Sequence, residues 1–288
     1  MIEDIIKTLR VNHYIKNFVV IVPLIFSAHF LDFGLWLKIF EMFLSFCAVS
    51  SAVYILNDLI DIENDKLHPV KRNRPIPSGK ISKQHAIMLM IVLIAFSLIV
   101  SVYVNPTCFI FVSAYFILNV LYSFWLKNIL LLDVFCIAIG FILRVITGYY
   151  AINIVPPALV LIVTFFVSIF FTFMKRKLEL NVLSDNFQYR KSAKVFDKST
   201  LDKFILISAI LSILIYLAYV LDKTAILLAG TSYLFITVLP FVLLFFRLLF
   251  LTNSSKDEYD PLMLIKNDKI MKLLFLFYLI TSIAVMMR

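Results

Sequence analysis

Charge is what this chain has least of. Asp, Glu, Lys and Arg make up 16% of its 288 residues, while 62% are hydrophobic, and its mean hydropathy is +0.98. A soluble domain has too little interior to hide so much apolar surface, so that class is excluded. Glycine is also scarce, with five residues against 29 phenylalanines. No Gly- or Ser-rich linker marks off a separate soluble domain. The alternation of an outer-membrane barrel is missing, so the spanning segments must be helices. Cysteine is limited to Cys47, Cys108 and Cys136, all inside apolar runs and without metal-ligand spacing. They read as small packing residues. The expected fold is therefore an all-α polytopic membrane protein.

Hydropathy gives about nine spans, near 16–33, 36–57, 85–104, 107–125, 129–151, 155–174, 204–222, 225–251 and 270–287. The first is short and interrupted by His29. No small-x-small cleavage site follows it, so it is read as a retained helix. With a cytoplasmic N-terminus, 23 of the 27 Lys and Arg residues fall on the cytoplasmic side, as the positive-inside rule requires. The net charge of +9 then reflects topology and contact with anionic lipid rather than nucleic-acid binding. Two long cytoplasmic loops are expected, 58–84 and 175–203.

The charges that do occur are patterned. Asn57–Gly79 reads NDLIDIENDKLHPVKRNRPIPSG between two apolar runs. Asp58, Asp61 and Asp65 lie at i, i+3 and i+7, which puts them within roughly 60° on one helix face. Carboxylates so crowded need a cation between them, and an oxygen-only set suits Mg²⁺, usually shared with substrate phosphates. The basic residues that follow, Lys71, Arg72 and Arg74, suit the phosphates themselves. The segment reads as a Mg²⁺–diphosphate site at a membrane surface, with Lys71 and Arg74 neutralising the leaving group. His68 precedes Pro69, which ends the helix, so His68 is expected in a turn or against substrate rather than on the metal.

Other cations and polar groups flank that motif. Lys16 and Asn17 precede the first apolar helix and are candidates for phosphate. Lys127 lies at the cytoplasmic end of a span. Asp133 and Arg144 fall within or beside the fifth span, where ionisable groups are functional candidates by default. They are eleven residues apart, hence roughly 16 Å along one helix, and each must find a partner elsewhere. An interhelical polar contact is the bland alternative for Arg144. In the 175–203 loop, Lys175, Arg176 and Glu179 stand closest to the membrane exit, and Lys175 and Arg176 are candidates for binding substrate.

Asn57-Asp58-x-x-Asp61-x-x-x-Asp65 on such a chain resembles the UbiA-type superfamily of intramembrane prenyltransferases. The resemblance implies a single integral membrane catalytic domain over 1–288. It also implies a helical bundle around a central cavity, capped by the loops 58–84 and 175–203. Many members carry a second Asp-x-x-x-Asp motif. Here KRKLELNVLSDN contains none, and Asp133 has Ile137 four residues on. Lys16-Asn17, HPVKRNRPIPSG and LKN…LDV…GFILRVITG are instead similar to the polyprenyl-phosphate phosphoribosyltransferase branch, although Arg10-Val11 and Tyr14 depart from it. That branch implies a Mg²⁺-dependent transfer from phosphoribosyl diphosphate to a polyprenyl phosphate such as decaprenyl phosphate, with release of diphosphate. It implies Asn57 and Arg72 among the substrate-binding residues and a bacterial inner-membrane location. Lys16, Lys127 or Arg144 would hold the lipid phosphate, and Asp133 would orient a cation or the ribose hydroxyls. The alternatives are a prenyltransferase acting on an aromatic acceptor, and a membrane transporter or lipid-binding protein. Homo-oligomerisation is left open.

Overall fold

The computed structural model describes residues 2–27, 29, 31–68, 70–129, 131–182, 197–255, 258 and 260–287. Every regular element among them is helical. They are α1 (Ile2–Leu9), a 3₁₀ stretch (Val11–Ile21) running into α2 (Val22–Ile25), α3 (Phe33–Ile60), α4 (Ile62–Leu67), a 3₁₀ turn (Lys71–Asn73), α5 (Lys83–Val104) and α6 (Pro106–Phe124). A short turn, Leu126–Asn128, leads to α7 (Leu132–Ala151), α8 (Ala158–Val182), α9 (Lys198–Val220) and α10 (Lys223–Ala229). After a 3₁₀ turn (Tyr233–Thr237) come α11 (Val238–Ser254), α12 (Pro261–Asn267) and α13 (Lys269–Met286).

Eight of these stretches are long and apolar enough to cross a membrane, and Val11–Ile25 is a shorter apolar helix. The expectation of about nine spans is met approximately. Two limits move. The expected first span, 16–33, ends early, because its helix stops at Ile25 and α3 starts afresh at Phe33. The expected span 225–251 is broken. Gly230 ends α10 in the left-handed region, at φ 69°, where only glycine sits without strain. The 175–203 loop is also shorter than expected, since α8 continues as helix to Val182; residues 183–196 lie outside the described residues.

Short polar side chains start the helices by accepting otherwise unpaired backbone N–H groups. Asp32 accepts from Gly34 at 2.8 Å, Asn105 from Thr107 at 2.8 Å with Pro106 in the first turn, and Asp268 from Met271 at 2.6 Å.

The chain divides into two compact units. The first holds residues 1–24, 32–127 and 143–155. Its core packs Val20, Leu24, Met42, Phe46, Val112 and Tyr115. Ser45 on α3 and Ser97 on α5 share a buried hydrogen bond at 2.9 Å, where small residues let two membrane helices approach. The second unit holds residues 25–31, 128–142 and 156–288, with Phe170, Met174, Leu178, Leu201, Phe245 and Leu248 in its core. All three cysteines are free and buried, as their apolar setting led us to expect.

Candidate active site

In the first unit α3 carries Asn57 and Asp58 to its last turn. Helical hydrogen bonding runs on past its end: the Asp61 N–H donates to the Asn57 carbonyl at 2.9 Å, and the Asp65 N–H to the Asp61 carbonyl at 2.8 Å. The i, i+3, i+7 face therefore persists into α4, and Asp58 and Asp65 are both buried. The chain then turns back at His68, whose Nδ1 accepts the N–H groups of Val70 and Lys71 at 3.1 and 3.2 Å. An acceptor Nδ1 must be unprotonated, and partial burial, with Lys71 nearby, pushes the His68 pKa below its ordinary value. His68 is thus a turn residue, one of the two roles the sequence allowed. The turn aims Lys71 and Arg74 at the acids.

Arg74 Nη1 donates to Asp58 Oδ1 at 3.0 Å and to Asp65 Oδ2 at 2.9 Å. Lys71 Nζ lies 3.5 Å from Asp65 Oδ1. Arg10 donates to Asp58 Oδ1 from the far side, with its guanidinium 4.5 Å from the Tyr54 ring centroid. Arg10 sits in the left-handed region, φ 52°, between α1 and the 3₁₀ stretch. Asp61 is held apart, with both carboxylate oxygens 3.0 Å from Lys127 Nζ. Four cations from three stretches of chain thus face three carboxylates.

This corrects one expectation. The three aspartates do not crowd around a single point, because Asp58 and Asp65 converge on Arg74 while Asp61 turns to Lys127. Among the described residues no three His, Cys, Asp or Glu side chains form a ready metal cage. The donor chemistry still fits Mg²⁺, which commonly takes only one or two protein carboxylates and completes its shell with water and substrate phosphate oxygens. Asp58 and Asp65, bridged by Arg74, are the pair that could hold it.

A pocket of about 410 Å³ opens beside this cluster, with Asp58, Arg10 and Arg74 in its lining. Its size falls in the usual range for small-molecule sites. The expected residue Arg72 is exposed, and Lys16 is half-buried on the 3₁₀ stretch; neither lines this pocket. Asn17 and Arg144 are brought together elsewhere. Arg144 is 7% exposed. Its Nε donates to Asn17 Oδ1 at 2.9 Å and its Nη2 to the Tyr115 hydroxyl at 2.8 Å, and Tyr115 also presents its ring 4.5 Å away. Ser50 adds a hydrogen bond to Asn17 at 3.3 Å. Arg144 thereby joins α7, the 3₁₀ stretch and α6, which is the interhelical contact rather than an open phosphate seat.

In the second unit Asp133 pairs with Arg176. Both are largely buried, with side-chain exposures of 6% and 10%, so each is the partner the other needed. Lys175 points away, 3.8 Å from Glu179 one turn on. Sequence reasoning missed Lys177, which donates to Asp202 and Asn253 and joins α8, α9 and α11. It also gave Arg10 no role. A basic residue just outside an apolar run looks like a topology anchor, and no local signal announces a partner 48 residues away.

A sequence model described as the UbiA prenyltransferase family matches residues 18–276. The chain belongs to that family. It is 28% identical to a decaprenyl-phosphate phosphoribosyltransferase of Mycolicibacterium smegmatis, over 96% of this chain and 90% of that protein. It is 32% identical to a protein of the same name from Corynebacterium glutamicum, over 62% of this chain and 55% of that one. Among solved structures, a UbiA homolog from Archaeoglobus fulgidus bound to GPP and Mg²⁺ matches with a TM-score of 0.71 at 18% identity, covering 98% of this chain and 100% of that one. This UbiA-family chain is therefore an integral membrane transferase with the all-α fold of those structures. Asp133, which the sequence leaves without a second acid four residues on, is engaged by Arg176 in this UbiA-family chain.

Proposed function

We propose that the protein transfers the 5-phosphoribosyl group of phosphoribosyl diphosphate to a polyprenyl phosphate, with Mg²⁺, at the cytoplasmic face of a bacterial inner membrane. The observation that carries this reading is the surplus of cation over carboxylate around Asp58 and Asp65. Arg10, Lys71, Arg74 and Lys127 all bear on three acids. A metal alone would want the acids without the cations. A substrate with several phosphates wants both. The full-length similarity to a decaprenyl-phosphate phosphoribosyltransferase supports the same donor and acceptor.

Mg²⁺, when bound, would offset the charge of the donor diphosphate beside Asp58 and Asp65. Arg10 and Arg74, released from those carboxylates, would move onto the diphosphate oxygens and stay there as charge builds on the leaving group. Lys71 would contribute a point charge to the same oxygens. The bond from ribose C1 to the diphosphate oxygen breaks, and an oxygen of the lipid phosphate forms a new bond to C1. That oxygen is already ionised near neutral pH, so the chain need supply no strong general base. Lys127, 16% exposed and held by Asp61, is the cation best placed in this unit to meet a second phosphate. In the other unit, Arg176, fixed by Asp133, is a preset cation of the same kind.

The experiment is release of inorganic diphosphate from phosphoribosyl diphosphate by the purified protein in lipid nanodiscs. Release that requires both polyprenyl phosphate and Mg²⁺, and stops on chelation, is the expected result. Release only from a prenyl diphosphate in the presence of an aromatic acid would replace this reading with the prenyltransferase one.

A further inference from the structure

The wall of the pocket beside the acid cluster also carries polar residues that have been given no part in holding diphosphate. They are Lys7, Asn12 and His13 of the N-terminal segment and Asn73 in the 3₁₀ turn. Asp58, Arg10 and Arg74 contribute to the same pocket. Asn12 and Asn73 are exposed and His13 is half-buried, so their polar groups border open space. The His13 ring stands 5.5 Å from Tyr54, the same ring that carries Arg10, so the polar wall and the diphosphate-facing cations share one support. The N-terminal segment is itself anchored: the Tyr14 hydroxyl meets Ser51 Oγ at 2.9 Å, and Ser51 Oγ donates to the Leu9 carbonyl at 2.8 Å.

Ile6, Val11, Val70 and Pro75 line the same pocket, but its polar groups have the wrong chemistry for a prenyl chain. Two carboxamides, an imidazole and an ammonium would be stripped of water by a hydrocarbon tail and given no partner in return, at a cost for each. They suit a small ligand with hydroxyls and one further anion. A carboxamide both donates and accepts, as a vicinal diol requires. A lysine at the rim suits a terminal phosphate as a point charge.

We propose that this wall is the sugar-phosphate subsite, in which Asn12, His13 and Asn73 read the ribose hydroxyls and Lys7 meets the 5-phosphate. It rests on the phosphoribosyl reading above and deepens it by naming the residues that set donor choice. The N-terminal segment is then a specificity element rather than only a membrane anchor. It disfavours prenyl diphosphates because an isoprenoid tail would strip water from these polar groups and give them no partner in return.

The test compares three ligands on the same protein in nanodiscs with Mg²⁺: phosphoribosyl diphosphate, inorganic diphosphate and geranyl diphosphate, each by calorimetric titration. Wild type is expected to bind phosphoribosyl diphosphate the most tightly. In Asn12→Ala, His13→Ala and Asn73→Ala that affinity should fall by roughly five- to tenfold per residue, with diphosphate affinity held at the wild-type value. Retained diphosphate affinity shows that the variant is folded. Lys7→Gln should weaken phosphoribosyl diphosphate alone and flatten the salt dependence of its binding. If the variants keep the wild-type preference, or lose phosphoribosyl diphosphate and inorganic diphosphate equally, the subsite is overturned while the phosphoribosyl reading stands. If wild type binds geranyl diphosphate and not phosphoribosyl diphosphate, that reading fails and the subsite fails with it.

Discussion

At the residue scale the site is a set of ion pairs between four cations and three acids. Asp58 and Asp65 share Arg74 within 3.0 Å, an arrangement that keeps two buried carboxylates from repelling each other. Asp61 and Lys127 form a separate pair, and its behaviour can be tested apart from the rest. If the pair works as one unit, Asp61→Asn and Lys127→Met should lower turnover by similar factors, and the double variant should be little worse than either. A double-mutant cycle on kcat/KM measures this, and independent, multiplying losses would show that the 3.0 Å contact has no functional weight. The acids were legible in the sequence because charge at the end of an apolar helix is rare and their spacing matches the helical period. Their partners were not. Arg10 meets Asp58 across 48 residues and Lys127 meets Asp61 across 66, and no local pattern encodes such distances.

At the scale of elements, the 3₁₀ stretch Val11–Ile21 fastens the N-terminal segment to the spans. Asn17 takes hydrogen bonds from Arg144 on α7 and Ser50 on α3. Next to it α7 comes very close: a Cβ built on Gly148 would lie 2.3 Å from the Val20 carbonyl oxygen and 3.0 Å from Pro23 Cγ. Backbone cannot give way as a flexible side chain can. Gly148→Ala should therefore destabilise by about 1–3 kcal/mol, the usual range for overpacking, read as a lower thermal midpoint in detergent. An unchanged midpoint would mean that α7 and the stretch are not packed this closely. The long helices were legible from hydropathy alone. The early end of the first one was not, because residues 26–31 are themselves mostly apolar and hydropathy runs across the break between Ile25 and Phe33. Gly230 carried a visible signal, since an isolated glycine in a helical pattern is a natural stop, yet hydropathy averaging runs across it.

At the scale of the whole molecule, composition sets the lipid-facing surface, and the placement of lysine and arginine sets the orientation. On α5, residues such as Ile91, Ile99 and Tyr103 remain exposed, as a lipid-facing surface requires. The basic bias predicts which ends face the cytoplasm. Lys80, in the bend before α5, and Lys223, at the start of α10, are both exposed and fall on opposite sides under that rule. The native cysteines are buried, so a membrane-impermeant maleimide on intact cells should label Lys223→Cys and leave Lys80→Cys untouched until the membrane is opened. The reverse pattern would turn the topology, and the pocket beside Asp58, to the other side. Fold class and family were readable from the sequence because they rest on periodicity and one motif. The balance of four cations over three acids was not, since it exists only once the chain is folded.

The most direct measurement is transfer of ribose-labelled phosphoribosyl diphosphate into the lipid phase, by purified protein given decaprenyl phosphate and Mg²⁺. The expected result is label in the lipid fraction with wild type, none after chelation, and a loss of at least about 100-fold in Asp58→Asn, the scale seen when one charge-stabilising group is removed from a reacting centre. Label that stays in the aqueous phase, while a prenyl diphosphate and an aromatic acid combine under the same conditions, would contradict it.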